Sequence, residues 1–396
     1  MKFTLQKLIL ISALLAGVLV WYFWTNKESI AHKKSINTAQ QNSEMVSASR
    51  SPDRSEDVGS AAKSNGPPNA SQRDVTQLIE EALSKFLASA DAGESAAILQ
   101  QLRDSIRKAD AQSAAAAIIE FLKSGRDADT KLPFKVGSDG ILEASPTLRT
   151  ALLDLLPSLD PGAALDVARE VMDQKKSADE YALGIRNLAW NDLDGDMKGE
   201  LKTRFDQMLE EKAWVETPSA GFLEAFDAAV ELSGIETFET VNGIRNEAIT
   251  TTNSSLARAS FIALDRMTVR DPSLLVEAFG AEGMLNMEPD QRASLLSRLD
   301  ITDPAQKKVF TRYLGATNHG PEELNYFADL FPNGNYIYGN WLITSEDPSL
   351  SIDSRLAADR KVLTEINGLN LPGNAGLALA RIRNRLTQAA ANNTSK

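Results

Sequence analysis

A chain of 396 residues with a hydrophobic fraction of 43% has room for several ordinary domains or for one long repeat array. Its formal charge of −12 excludes a general nucleic-acid binder, which needs a basic face to neutralise phosphates. The absence of cysteine excludes disulfides, thiolate metal sites, cysteine nucleophiles and lipobox acylation.

After a short tail, 1–7, the run Leu8 to Trp24 (LILISALLAGVLVWYFW) is uncharged and almost wholly apolar. It reaches the roughly 17–25 residues that a membrane helix needs. Trp21, Tyr22, Phe23 and Trp24 crowd its end, where aromatic rings suit the headgroup zone. The apolar core of a cleaved signal peptide is shorter and gives way to small residues. Here the aromatics are followed by TNKES, so the pattern predicts an uncleaved transmembrane signal-anchor over 8–24. Lys2 and Lys7 nearly balance Lys27, Lys33 and Lys34 across the span. A short tail ahead of an early anchor stays in the cytoplasm. The expectation is therefore a single-pass protein of a bacterial inner membrane, with its C-terminal body in the periplasm. Residues 25–72 are rich in Ser, Asn and Ala, include NGPPNAS, and predict a disordered linker. Such a coil spans roughly 35–40 Å.

From residue 73 to 390 the pattern is helical. Leu148, Leu152, Leu155, Leu156 and Leu159 make one apolar helix face, and Leu165, Ala168, Val171 and Met172 make the next. Between them Asp160-Pro161 supplies an N-cap and a first-turn proline, and Asp-Pro returns at 271–272, 303–304 and 347–348. Helical hairpins are expected to start near Asp74, Asp110, Pro146, Ser177, Pro218, Asn253, Pro289, Pro321 and Asp353, a mean spacing of roughly 35 residues. Residues 125–145 carry three glycines and a proline, and predict a long loop or a short hairpin in place of a second helix. A short disordered tail is expected over 391–396. Period and cap pattern together resemble the HEAT- and armadillo-like helical repeats. The resemblance implies an all-α fold, a right-handed α-solenoid of roughly eight to nine hairpins. It carries no functional residues over.

Signals for chemistry are sparse. In NDLDGDMKGE, Asp192, Asp194 and Asp196 imitate the start of a calcium loop. Met197 stands where the glycine belongs and Thr203 where the bidentate glutamate belongs, so the stretch predicts a turn with Asp194 or Asp196 capping the next helix. No phosphate loop, dinucleotide fingerprint, zinc helix or nucleophile elbow is present. His32 and His319 are the only histidines, and His319, ahead of Gly320-Pro321, predicts a loop residue before a helix. RIRNR, 381–385, suits the end of the last helix. No cofactor, metal or catalytic residue is implied.

One aromatic cluster stands out, NYFADLFPNGNYIYGNW, with Tyr326, Phe327, Phe331, Tyr336, Tyr338 and Trp341 around Asn333-Gly334. Tyr326, Tyr336, Tyr338 and Trp341 are the candidate binding residues, since Tyr and Trp offer large contact area with a polar tip. The functional expectation is a non-enzymatic, membrane-tethered helical-repeat scaffold that binds another protein on the extracytoplasmic side. The alternative is an α/α-toroid-like carbohydrate-active enzyme using Asp/Glu acid–base chemistry.

Overall fold

The computed structural model describes residues 70–393 apart from 90, 193, 280–286, 317–318, 334–336, 338, 340 and 346–350. The chain divides into two units, and the described residues all lie in the second, Pro67–Lys396. The expected anchor, 8–24, and the linker up to residue 69 lie outside the described residues. Among the described residues no helix is long and apolar enough to cross a membrane.

The body is all-α apart from one small hairpin. It opens with α1 (Ala70–Ala88), α2 (Ala92–Lys108) and α3 (Ala111–Lys123). Helix α1 begins inside the segment expected as linker. The antiparallel strands β1 (Lys135–Val136) and β2 (Leu142–Ala144) follow, filling the Gly-rich stretch where no second helix was expected. Then come α4 (Leu148–Leu159), α5 (Pro161–Gln174), α6 (Ala178–Asn191) and α7 (Lys198–Leu209). Three short helices, α8 (Lys212–Glu216), α9 (Ala220–Glu224) and α10 (Asp227–Leu232), precede α11 (Ile235–Thr250) and α12 (Ser254–Arg270). The remainder is α13 (Leu274–Ala278), α14 (Pro289–Leu296), α15 (Pro304–Gly315), α16 (Pro321–Leu330), α17 (Ile352–Asn367) and α18 (Gly373–Asn393). Ala389, Ala390 and Ala391 continue α18 into the expected tail, as their high helix propensity favours.

Several starts follow the cap chemistry. Asp110, Asp160, Ser177, Asn253 and Asp303 each accept the backbone N–H of the third residue on, and Pro289 and Pro321 each occupy a first helical position. Four expected starts move. Asp74 lies inside α1, Thr147 rather than Pro146 caps α4, Ser219 rather than Pro218 opens α9, and Ser351 caps α17 ahead of Asp353. Asp271-Pro272 starts no α-helix, because the Asp271 carboxylate turns onto Ser273 instead. Asp347-Pro348 lies outside the described residues.

The helices pack in neighbouring pairs, an arrangement compatible with a helical-repeat fold. Helices α1, α3, α4, α6, α9, α12, α14, α16 and α18 form a series in which each packs on the next. Apolar burial drives this. Leu148, Leu152, Leu155 and Leu156 are at most 2% exposed. Ala168, Val171 and Met172 carry the core into α5.

Between successive members of the series run buried ion pairs at repeat spacing. Arg149 on α4 forks onto Glu180 on α6, 31 residues on, at 2.7 and 2.9 Å. Arg292 on α14 forks onto Glu323 on α16, again 31 residues on, at 2.8 and 2.6 Å. Both arginines stand three residues after a proline, in PTLR and PDQR. Bidentate pairing of this kind fixes geometry as well as sign.

Candidate functional site

A second set of buried pairs holds stretches of backbone that lie outside the helices. Asp154 on α4 and Arg186 on α6 meet at 2.6 Å, and neither is exposed. Asp154 also accepts the Leu142 N–H at 3.1 Å, and Arg186 donates to the Gly140 carbonyl at 2.9 Å. The hairpin is thus clamped by an acceptor and a donor together. The Trp190 ring covers the guanidinium of Arg186 at 4.4 Å.

The arrangement recurs. Asp227, the first residue of α10, meets Arg266 on α12 at 2.6 Å, with neither exposed. Asp227 accepts the N–H groups of Ile343 and Thr344 at 2.6 and 2.8 Å and the Thr344 hydroxyl at 2.6 Å. Arg266 donates to the Thr344 carbonyl at 3.1 Å. The Trp341 ring covers its guanidinium at 4.5 Å. Trp190 ties the two clamps together, since its indole N–H donates to the Ile343 carbonyl at 3.2 Å. A third pair, Asp265–Arg298 at 2.8 Å, holds the Asn333 carbonyl through Arg298 at 2.6 Å.

Titration at the second clamp follows from its burial. Desolvation and the neighbouring Asp227 push the Glu224 carboxyl up to about 7, although Arg266 and the Trp341 N–H pull it down. Burial also lifts Asp227, to about 6, against the pull of Arg266 and its backbone donors.

A different surface opens between the other ends of the series. A cleft of about 270 Å³ is lined by Phe261 and Ile262 of α12, Gln291 and Ser294 of α14, and Tyr326 of α16, with Arg258 and Asp290 at its sides. Three consecutive members of the helix series therefore build it. Tyr326 is 43% exposed there.

The structure separates the aromatic cluster into parts. Phe327 and Phe331 are unexposed and pack with Phe310, so they belong to the core. Of the candidate binding residues, Tyr326 lines the cleft, and half-buried Trp341 lies over Arg266 in the second clamp. Tyr336 and Tyr338 lie outside the described residues. His319 does precede a helix, but it is buried, its ring tilted against Tyr313 at 4.5 Å and 3.3 Å from Glu323. Burial alone would raise Glu323, yet the adjacent His319 and hydrogen bonds from Arg292 and Tyr313 hold it down at about 2.

Residues 194–197 form a bend and turn leading into α7, with Gly195 at φ +79°. The residue reaching toward the next helix is Asp192, which accepts the Met197 N–H at 2.9 Å, not Asp194 or Asp196. Those two are exposed. Among the described residues no group of three or more acidic or histidine side chains is placed to hold a metal.

Sequence reading missed the Arg–Asp clamps. The available signal was a charge set inside an apolar face, as in LLDLL at Asp154 and GIRNLAW at Arg186, returning at repeat spacing.

No known family matches the chain, and no curated protein matches it. A solved structure described as "Computational Design of Self-Assembling Cyclic Protein Homooligomers" aligns at 15% identity over 81% of this chain and 94% of that chain. Its TM-score of 0.13 is too low to bear on fold or function.

Proposed function

We propose that the protein is a membrane-tethered helical-repeat scaffold that binds another protein on the extracytoplasmic side. Its body is read as a right-handed α-solenoid of the HEAT- and armadillo-like kind. The observation that carries this is the cleft at Tyr326. Repeat arrays bind along surfaces made from the same helix of successive units. The cleft has that construction, with an apolar floor at Phe261 and Ile262, opposite charges at Arg258 and Asp290, and an exposed tyrosine. The apolar run 8–24 and the polar stretch 25–72 support a tether.

The enzyme reading has one observation in its favour, the carboxyl of Glu224 raised to about 7 near Asp227. Acid–base hydrolysis of a glycoside needs two carboxyl groups that reach the sugar. Asp227 is unexposed and already accepts from Arg266, Thr344 and Ile343, so it has no face to offer. The scaffold reading is preferred for that reason. The test is partner recovery by the full chain and by Tyr326→Ala. Loss of a specific partner at unchanged melting supports the cleft. Unchanged recovery rules it out.

A further inference from the structure

In a repeat array each unit touches its neighbours. The segment Trp341–Ser345 does otherwise. It meets Trp190 at a separation of 153 positions, Asp227 at 116 and Arg266 at 78. These residues come from three different helices, so the segment lies across the array as a ligand would.

Its contacts are directed at backbone. Glu224 accepts from the Trp341 N–H, and Asp227 accepts from the N–H groups of Ile343 and Thr344. Trp190 and Arg266 donate to the carbonyls of Ile343 and Thr344. Selection by side chain comes from the Trp341 ring over Arg266, from Leu342, which is unexposed, and from the Thr344 hydroxyl on Asp227. Main-chain bonds for grip and side-chain pockets for selection are the chemistry by which proteins hold short peptide segments. The clamp at Asp154 and Arg186 uses the same chemistry, but its occupant is local, Leu142 being 12 positions from Asp154.

We propose that the groove formed by Trp190, Asp227 and Arg266 is a binding site for a partner peptide of the Trp-Leu-x-Thr type, bent at its centre, filled in this structure by the chain's own residues 341–345. The residues concerned are separate from those at the Tyr326 cleft, so either site can fail without the other. A tethered occupant competes at an effective concentration on the order of millimolar, so partner binding requires exchange with it.

The test uses the full chain and a labelled synthetic peptide of residues 339–345, read by fluorescence anisotropy. Leu342→Gly/Thr344→Gly weakens the internal occupant. This variant is expected to bind the peptide at least about tenfold more tightly than the unaltered chain does. Methylating the two peptide nitrogens that correspond to Ile343 and Thr344 removes the donors to Asp227, and should abolish binding without altering the protein. A folded variant that ignores the peptide, or binds the methylated form equally well, overturns the proposal. Should the variant fail to fold, hydrogen exchange on the unaltered chain decides. Faster exchange at Ile343 and Thr344 with excess peptide, but not with its methylated form, supports the site, and unchanged exchange overturns it.

Discussion

The guanidinium of Arg186 and the carboxylate of Asp154 meet at 2.6 Å with neither side chain reaching solvent. They join α4 to α6, 32 residues on, and fix the hairpin at Gly140 and Leu142. Burying two charges costs free energy that only close geometry and full hydrogen bonding offset. The pair therefore sets register between helix pairs more than it adds stability. Removing Arg186 leaves the buried Asp154 with only the more distant Arg103, at 3.6 Å, as counter-charge.

Arg186→Met is accordingly expected to cost about 3–5 kcal/mol in urea unfolding. Arg186→Met with Asp154→Leu should cost less than the two single changes summed. Additive losses would mean that the two groups do not act as a pair.

Stability should fall as pH rises from about 4.5 to 7. Glu224 has its carboxyl raised from 4.5 to about 7, so the folded state keeps a proton that the unfolded chain has lost. Its stabilisation is fully present below pH 4.5 and is lost as pH climbs through 7. At about 1.4 kcal/mol per pH unit this is on the order of 3 kcal/mol. Asp227, raised to about 6, acts in the same direction. Glu323, held at about 2, acts oppositely, and its contribution disappears as pH falls from 4.5 toward 2. Melting temperature measured from pH 3 to 8.5 should therefore peak on the acid side of neutrality. Glu224→Gln should flatten the alkaline limb, and an unaltered limb would remove Glu224 from the account.

Gly140 sits at φ +77°, and a Cβ there would come within 2.7 Å of the Trp190 ring and 2.9 Å of the Leu342 carbonyl oxygen. Gly140→Ala should thus lower melting and loosen both clamps, with faster hydrogen exchange at Leu142, Ile343 and Thr344. Faster exchange at Leu142 alone would show that the hairpin and the 341–345 segment are independent.

If residues 8–24 anchor the protein, the full chain should stay with membranes through carbonate washing, and deletion of residues 1–25 should release a soluble body. Recovery of a mature chain starting near Thr25 would replace the anchor with a cleaved leader.

Much of the helix series was legible because capping is local. Asp110, Ser177 and Asn253 bond N–H groups three residues away, which a short window of sequence contains. Where two groups compete for a cap, local reading slips. Asp192 reaches the next helix ahead of Asp194 and Asp196, and Asp271 folds onto Ser273. The cleft was half legible, since Tyr326 announced itself by composition, but Phe261 and Ile262 resemble core until three helices are set side by side. The clamps were not legible as a site. A charge at Arg266 becomes meaningful only when residue 344 is brought back to it, 78 positions away.

The most direct test of the scaffold account is site-specific crosslinking in native membranes, with a photoreactive phenylalanine at position 326 and, as control, at exposed Glu239 on α11. The account predicts a discrete adduct with another protein from position 326, absent from position 239 and lost with Ile262→Asp, a change in the cleft floor. A folded, membrane-bound chain that gives no adduct at 326, or the same adducts at both positions, would contradict it.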